Sequence, residues 1–320
     1  EYLKEMNHPV PKAILKYRGL SKALSTYVEA IPNCAIQDKE GNWIVHTTYH
    51  TIGADTGRFS SSDPNLQNQP RDNRFRYGFM ARPGHKLVST DFSQQEQAVL
   101  AGGSQDPKML EGAEQERDYY ALMASIVWDL PYESCTKKGE HKKLRNMCKS
   151  LVLGVTYGMS AKSLAEKLNS EDPNHHYDED EANRILKKFY DGFPLVKEFQ
   201  EECMEFGRTH GYMTTALGRR RYFKYLGRPA FECPEHPEVA DTLNNLKYYN
   251  QIRACLDEAK VEGIQVIDNR WRQQDEARQT TNHYCQGTAA DQTKVCMIAI
   301  FRDKDFHEKY LGQLLLQIHD

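Results

Sequence analysis

The sequence lacks any Cys-x-x-Cys pair. Its 8 cysteines lie scattered, which leaves no visible zinc ribbon or dithiol redox motif and fits free thiols in a reducing cytosol. It lacks an apolar run of about 18 residues, so no membrane span is expected. It lacks a charge bias: Lys and Arg number 42 against 45 Asp and Glu, a net charge of −3. That balance argues for no polyanion partner, yet a basic cleft can sit inside an acidic exterior. The first residue is not Met, and no signal peptide is expected from the polar N-terminal stretch. The polar start at Glu1 and the abrupt end at Asp320, just after an apolar run, lead us to expect an excised piece of a longer chain. Internal repeats and low-complexity tracts are absent. What is present is 320 residues, enough for a large core in one big domain or two to three subdomains.

Residues 1–31 place Leu3, Val10, Ile14, Leu15, Leu20, Leu24 and Tyr27 at helical positions, with Pro9, Pro11 and Gly19 expected to break the helix into pieces. A polar turn covers 33–42, and 43–52 has strand composition. Residues 55–70 read as a long loop, and loops of that length in compact domains tend to be functional. Helices are expected over 118–130 and 141–160, and from a capping box at Asp178 and Glu181 to Gly192. Another starts at Pro194 with Val196, Phe199, Cys203 and Phe206 on one face, and a long one covers 276–302. Residues 212–223 read as a hairpin, 227–270 as an insertion without a clean period, and 314–318 as a strand ending on His319 and Asp320.

Residues 85–101, HKLVSTDFSQQEQAVLA, carry the first chemistry. The apolar Leu87 and Val88 lead to Asp91, and helix formers follow, the pattern of strand, turn and helix. A carboxylate at the tip of a buried strand is costly unless a cation or donors compensate it. The alternative is a helix-capping aspartate. Asp320 closes a second strand-like run, so two strand-end carboxylates suggest one metal-binding pair. Hard oxygens with open positions suit Mg²⁺, and two such ions can hold the attacking and leaving oxygens of a phosphoryl displacement. On the 141–160 helix, Arg145 and Lys149 stand four apart on one face, continued by Val152 and Thr156, with Leu153 and Tyr157 at its side. Such a face can hold a triphosphate and neutralise charge moving to the leaving pyrophosphate. A solvated basic helix face is the plainer alternative.

These motifs together resemble the family A DNA polymerases, the bacterial DNA polymerase I type. Residues 55–70 contain TGRFSSSDPNLQNQP, similar to the family's TGR-L-SS-x-DPNLQN-x-P. DFSQQE at 91–96 resembles motif A, and RNMCKSLVLGVTYG at 145–158 resembles motif B. QGTAAD at 286–291 matches the family as it stands, QIHD at 317–320 resembles the start of motif C, and PKAILKYRGLSKALSTY resembles the segment leading into the palm. The matches run in family order over nearly the whole chain. The resemblance implies an α+β, right-hand polymerase architecture, with an antiparallel palm sheet, helical fingers and a remnant of the thumb. Expected boundaries are 1–46 for the end of the thumb and its link to the palm, 47–98 for the first part of the palm, 99–275 for the fingers with an insertion near 227–270, and 276–320 for the palm's return.

The resemblance also implies roles. Asp91 and Asp320, with the backbone carbonyl of Phe92, hold two Mg²⁺ ions; Asp91, Asp320 and Lys149 are the catalytic set. Arg145, Lys149 and Tyr120 hold the triphosphate of a dNTP, and Gln94, Leu153 and Tyr157 belong to the same nucleotide site. Tyr157 lies beside the templating base, where an aromatic face can stack. Glu96 is the steric gate against a 2′-hydroxyl. Arg58, Asn65, Gln67, Arg278, Asn282, Gln286 and His319 face primer-template DNA. Donors in the minor groove meet acceptors common to every base pair, which suits copying without reading sequence. Polar helix surface is the plainer account of Asn282 and Gln286. Phe92 stands where the family has Tyr, Tyr120 where it has His, and Leu153 where it has Phe or Tyr. The expected protein is a monomer with no membrane contact, cytoplasmic, or in the host cytoplasm if the source is viral. A single-subunit RNA polymerase-like enzyme and a truncated, non-catalytic primer-template-binding module are the alternatives. Glu96 and the TGR…DPNLQN loop argue against the first, and the presence of Asp91, Lys149 and Asp320 against the second.

Overall fold

The structure, a computed structural model, describes residues 8–70, 73–156, 158–172 and 174–318. It divides into two compact units: one runs to Phe92 and resumes at Gln292, and the other spans Ser93–Asp291.

The first unit opens with α1 (Pro9–Ala23), capped by His8, whose ring accepts from the Val10 amide at 3.2 Å. Pro9 and Pro11 do not break this helix. They sit in its first turn, where amide hydrogens have no intrahelical partner to lose. Gly19 lies inside the helix and is tolerated there. A π-helical turn, Leu24–Glu29, and a short helix, Ala30–Asn33, continue it. Two antiparallel hairpins follow: β1 (Ala35–Gln37) pairs with β2 (Trp43–Val45), and β3 (Thr48–His50) with β4 (Ser60–Ser62). The expected strand 43–52 is thus two strands with different partners, and the expected loop 55–70 contributes β4.

Two expected strands are corrected. Neither 85–91 nor 314–318 forms a ladder among the described residues. Strand composition alone does not make a strand; backbone groups need a paired neighbour and the apolar side chains need cover. Here Leu87, Val88 and Leu315 are all exposed. The 317 region is instead tied by side chains: Tyr49 Oη donates to the Gln317 carbonyl at 2.8 Å and accepts from its amide at 2.9 Å. The sheets of the described residues are all two-stranded and antiparallel.

The second unit is largely helical: α2 (Gln95–Ser104), α3 (Pro107–Glu114), α4 (Tyr119–Val127), α5 (Lys142–Thr156), α6 (Ala161–Glu171), α7 (Glu179–Gly192) and α8 (Pro194–His210). Side-chain caps mark the starts. Asp106 caps α3, Asp118 caps α4, Ser160 caps α6, and Asp178 caps α7 by accepting from the Glu181 amide at 2.7 Å, as its sequence pattern predicts. Met147, Cys148, Leu151, Val152 and Val155 form the buried face of α5. They meet Met123, Leu164, Leu168, Phe189 and Phe193 in one core. Full burial of each large apolar side chain stabilises by about 1.5–3 kcal/mol, which fixes which face of α5 turns outward. The expected hairpin is β5 (Tyr212–Thr214) against β6 (Arg220–Tyr222), turned at Gly218 with φ +86.

The patternless 227–270 segment is ordered. β7 (Phe231–Glu232) pairs with β8 (Ile267–Asp268) and closes off α9 (Pro237–Asn245) and α10 (Tyr249–Val261). Their buried positions are few, Ala240, Leu243 and Ala259 among them, so no strong periodicity marks the helices. Helix α11 (Arg270–Arg302) starts ahead of the expected 276, and the division between the units falls inside it.

Candidate active site

Motif A straddles the unit division. Asp91 is exposed, and among the described residues no hydrogen bond or ion pair engages its carboxylate. Gln94, at the start of α2, adopts φ +53, a left-handed backbone that costs a non-glycine residue about 1–2 kcal/mol. Its Oε1 is buried without a partner. Gln95 anchors the turn by donating from Nε2 to the Ala289 carbonyl of α11 at 3.2 Å. Glu96 is half-buried in the first turn of α2.

The cationic helix face is differentiated. Arg145 is buried, and its Nε and Nη2 each lie 2.7 Å from Oδ2 of Asp118. Asp118 Oδ1 accepts from the Tyr120 and Ala121 amides at 3.1 and 3.3 Å. One carboxylate therefore caps α4 and holds Arg145. One turn on, Lys149 is exposed, and among the described residues it has no anionic partner. Both cations lie over the Tyr120 ring, Arg145 at 5.5 Å and Lys149 at 5.8 Å from its centroid. Burial pushes the Cys148 thiol of α5 well up, so it serves as an apolar filler, not a nucleophile. Leu153 lies on α5; Tyr157, His319 and Asp320 fall outside the described residues.

Arg278, Asn282 and Gln286 recur every four residues along α11 and form one stripe. Arg278 is exposed, while Asn282 and Gln286 are buried, and Asn282 Oδ1 has no partner. Gly158, with φ +63, abuts this stripe: a Cβ there would stand 2.6 Å from Arg278 Cγ. Two expected DNA contacts in the other unit are engaged by that unit's own groups. Asn65 Oδ1 accepts from the Ser61 hydroxyl and from the Gln67 and Asn68 amides at 3.0–3.2 Å. Gln67 is buried and donates to Gln317 Oε1 at 2.8 Å. Arg58 is half-buried next to Gly57, whose carbonyl accepts from Lys294 at 2.7 Å.

Asp118 and Asp291 are the participants the sequence reasoning missed. Asp118 has a legible signal, an aspartate directly before an apolar helical run. Asp291 does not. It accepts from Arg219 Nε at 2.7 Å and from the Thr215 hydroxyl at 2.8 Å, seating the β5–β6 hairpin on α11. Gly287 leaves room for that seat, since a Cβ would meet Thr215 Cγ2 at 2.7 Å. The end of the QGTAAD motif is thus a docking point for the hairpin.

Among the described residues, no group of three or more His, Cys, Asp or Glu side chains converges on a common point. The donors that motif A does offer, an uncommitted carboxylate and a backbone carbonyl, are hard oxygens of the type Mg²⁺ takes.

A helix-rich unit, in which Asp118 holds Arg145 and leaves Lys149 exposed one turn on, together with small antiparallel sheets, defines an α+β fold of the polymerase class. The chain belongs to DNA polymerase family A, whose sequence profile matches residues 1–320. It is 32% identical to DNA polymerase I of Chloroflexus aurantiacus over 100% of this chain and 29% of that protein. It is also 32% identical to the thermostable DNA polymerase I of Thermus aquaticus, over 98% of this chain and 31% of that protein. The chain therefore spans less than a third of the length of these relatives. Among solved structures it is similar to the POL domain of Pol1 from M. smegmatis, in complex with DNA primer-template and dNTP. That match has 26% identity and a TM-score of 0.69, covering 99% of this chain and 47% of that one.

Proposed function

We propose that this chain carries template-directed DNA synthesis. A primer 3′-hydroxyl attacks the α-phosphate of a dNTP, the dNMP joins the primer, and pyrophosphate leaves. The observation that carries the reading is the division of labour on α5, with Arg145 neutralised by Asp118 and Lys149 exposed without an anionic partner. A cation left open one turn from a fixed one is placed to meet a mobile polyanion such as a triphosphate. The solved relative bound to primer-template and dNTP supports the same partners.

Asp91, the Phe92 carbonyl and Asp320 would hold two Mg²⁺ ions. Polymerases are a standard instance of this chemistry, in which the ions stabilise the attacking and leaving oxygens of an in-line displacement. Lys149, steadied by the Tyr120 ring, binds the triphosphate and offsets charge on the departing pyrophosphate. Arg145 positions Tyr120 through Asp118. Glu96 excludes a 2′-hydroxyl, and the Arg278, Asn282 and Gln286 stripe lies along the minor groove, checking pair geometry. In this reading residues 47–98 and 276–320 form the palm and 99–275 the fingers, and the protein acts as a monomer.

Primer extension tests the reading. With Mg²⁺ and dNTPs the chain is expected to extend a recessed primer, and Asp91→Ala to abolish extension while keeping primer-template affinity. Unchanged extension in that variant overturns the metal assignment. DNA binding without Mg²⁺-dependent extension overturns the enzyme reading.

A further inference from the structure

We infer that the foot of the inserted segment is a second nucleic-acid contact, a platform of Lys224, Tyr225, Arg228, Trp271 and Arg272 that takes single-stranded nucleic acid.

The platform is built rigidly. The turn after β6 is clamped to the first turns of α11. Glu276 accepts from the amides of Lys224, Tyr225 and Leu226 at 3.0, 2.7 and 2.7 Å. Gln273 Nε2 donates to the carbonyls of Tyr225 and Arg228 at 3.3 and 2.6 Å. Leu226 is buried beneath the turn. Tyr225 is therefore displayed on a backbone whose polar groups are already satisfied.

Three cations surround that ring, Arg272 at 4.7 Å, Lys224 at 5.2 Å and Arg228 at 5.8 Å from its centroid. Arg272 also lies 5.1 Å from the Trp271 ring. Among the described residues, Lys224 and Arg272 have no carboxylate partner, and Arg228 faces Glu232 at 3.5 Å. The nearby Glu276 carboxylate accepts from three backbone amides and, among the described residues, forms no ion pair with these cations. Arg270, at the same end of α11, is excluded because it pairs with Asp268 at 2.7 Å.

Cation stacking engages Tyr225 and, through Arg272, the Trp271 ring, yet Trp271 stays 64% exposed. A largely exposed indole beside Lys224 and Arg272, which have no carboxylate partner among the described residues, matches a strand whose bases stack and whose phosphates pair. A duplex hides its base faces. An acidic protein would satisfy the cations and leave the rings unused. The inference goes beyond primer extension, and the binding needs neither nucleotide nor metal.

The test is fluorescence anisotropy of dye-labelled oligo-dT titrated with the whole chain in EDTA across a salt series, with a blunt-ended duplex as the comparison. Lys224→Ala/Arg272→Ala is expected to weaken oligo-dT binding about tenfold and to lower the magnitude of the salt slope by about 1.4. Trp271→Ala is expected to weaken it about tenfold, with Trp271→Phe close to wild type, and duplex affinity is expected to stay unchanged in all three. Because Trp271 is exposed, the Ala and Phe variants are expected to fold alike, so their contrast isolates stacking. Unchanged oligo-dT affinity overturns the inference, as does an equal loss on both DNAs. Displacement of oligo-dT by polyglutamate as effectively as by unlabelled oligo-dT also overturns it, in favour of an acidic protein partner.

Discussion

Arg145 directs two nitrogens, Nε and Nη2, at a single oxygen of Asp118, each at 2.7 Å, while the other oxygen of Asp118 caps α4. Both side chains are largely withdrawn from solvent. Removing one partner of such a pair leaves an uncompensated charge, at a cost of about 3–5 kcal/mol, and a lost cap adds about 1 kcal/mol. Asp118→Ala is therefore expected to lower unfolding free energy by several kcal/mol in urea titration. Asp118→Asn keeps an N-cap oxygen and is expected to lose less. Equal stability of the two variants would deny the double role of this carboxylate.

Lys149 and Tyr120 give a kinetic prediction. Lys149→Ala is expected to reduce kcat/KM for dNTP incorporation by about 10²-fold or more while primer-template affinity stays put. The Tyr120 ring lies under Lys149, so Tyr120→Phe is expected to track wild type and Tyr120→Ala to raise KM for dNTP. Single-nucleotide incorporation kinetics measure both. A Phe variant as impaired as the Ala variant would show that the hydroxyl, not the ring, contacts the nucleotide.

The helical unit was legible because its caps and apolar faces are local. Asp178 and Glu181, Gly192 and Pro194, and the Met147–Leu151 spacing each declare themselves within a few residues. The motif residues of α5 were legible as a charged face, but their difference was not. That Arg145 is neutralised and Lys149 is open depends on Asp118, which arrives from another helix. Two of the expected strands failed for the same reason: Leu87 and Leu315 have strand composition, yet pairing is a property of neighbours distant in sequence. Asn65 and Gln67 look like donors aimed outward, and only the folded loop shows them bonded to Ser61 and Gln317.

Gly158 supplies a backbone test. Its φ of +63 is strained for any side chain, and an added Cβ would stand 2.6 Å from Arg278 Cγ and 2.8 Å from Cδ. Gly158→Ala is expected to destabilise by about 1–2 kcal/mol from the left-handed backbone alone. The displaced Arg278 is expected to appear as a higher Kd for primer-template. Normal DNA affinity in a destabilised variant would confine Gly158 to a backbone role and separate it from the stripe on α11.

His283 makes the stability of the helical unit depend on pH. It is fully buried on α11, and that burial, followed by the charges of Arg219 and Arg221, draws its pKa from 6.5 to about 4, with Asp291 pulling weakly the other way. Above pH 6.5 the ring is neutral in both folded and unfolded chains and contributes no pH dependence. As pH falls from 6.5 towards 4, the unfolded chain binds a proton that the folded chain refuses, so unfolding becomes easier; below about 4 the loss levels off. The full loss is about 3 kcal/mol. Urea titrations between pH 7 and 5, above the range where ordinary carboxylates protonate, are expected to show stability declining with acid. The slope is expected to flatten in His283→Gln. Because the readout is the slope and not the absolute stability, a variant that is weaker at every pH still tests the point. A slope that survives the substitution assigns the proton uptake to another group.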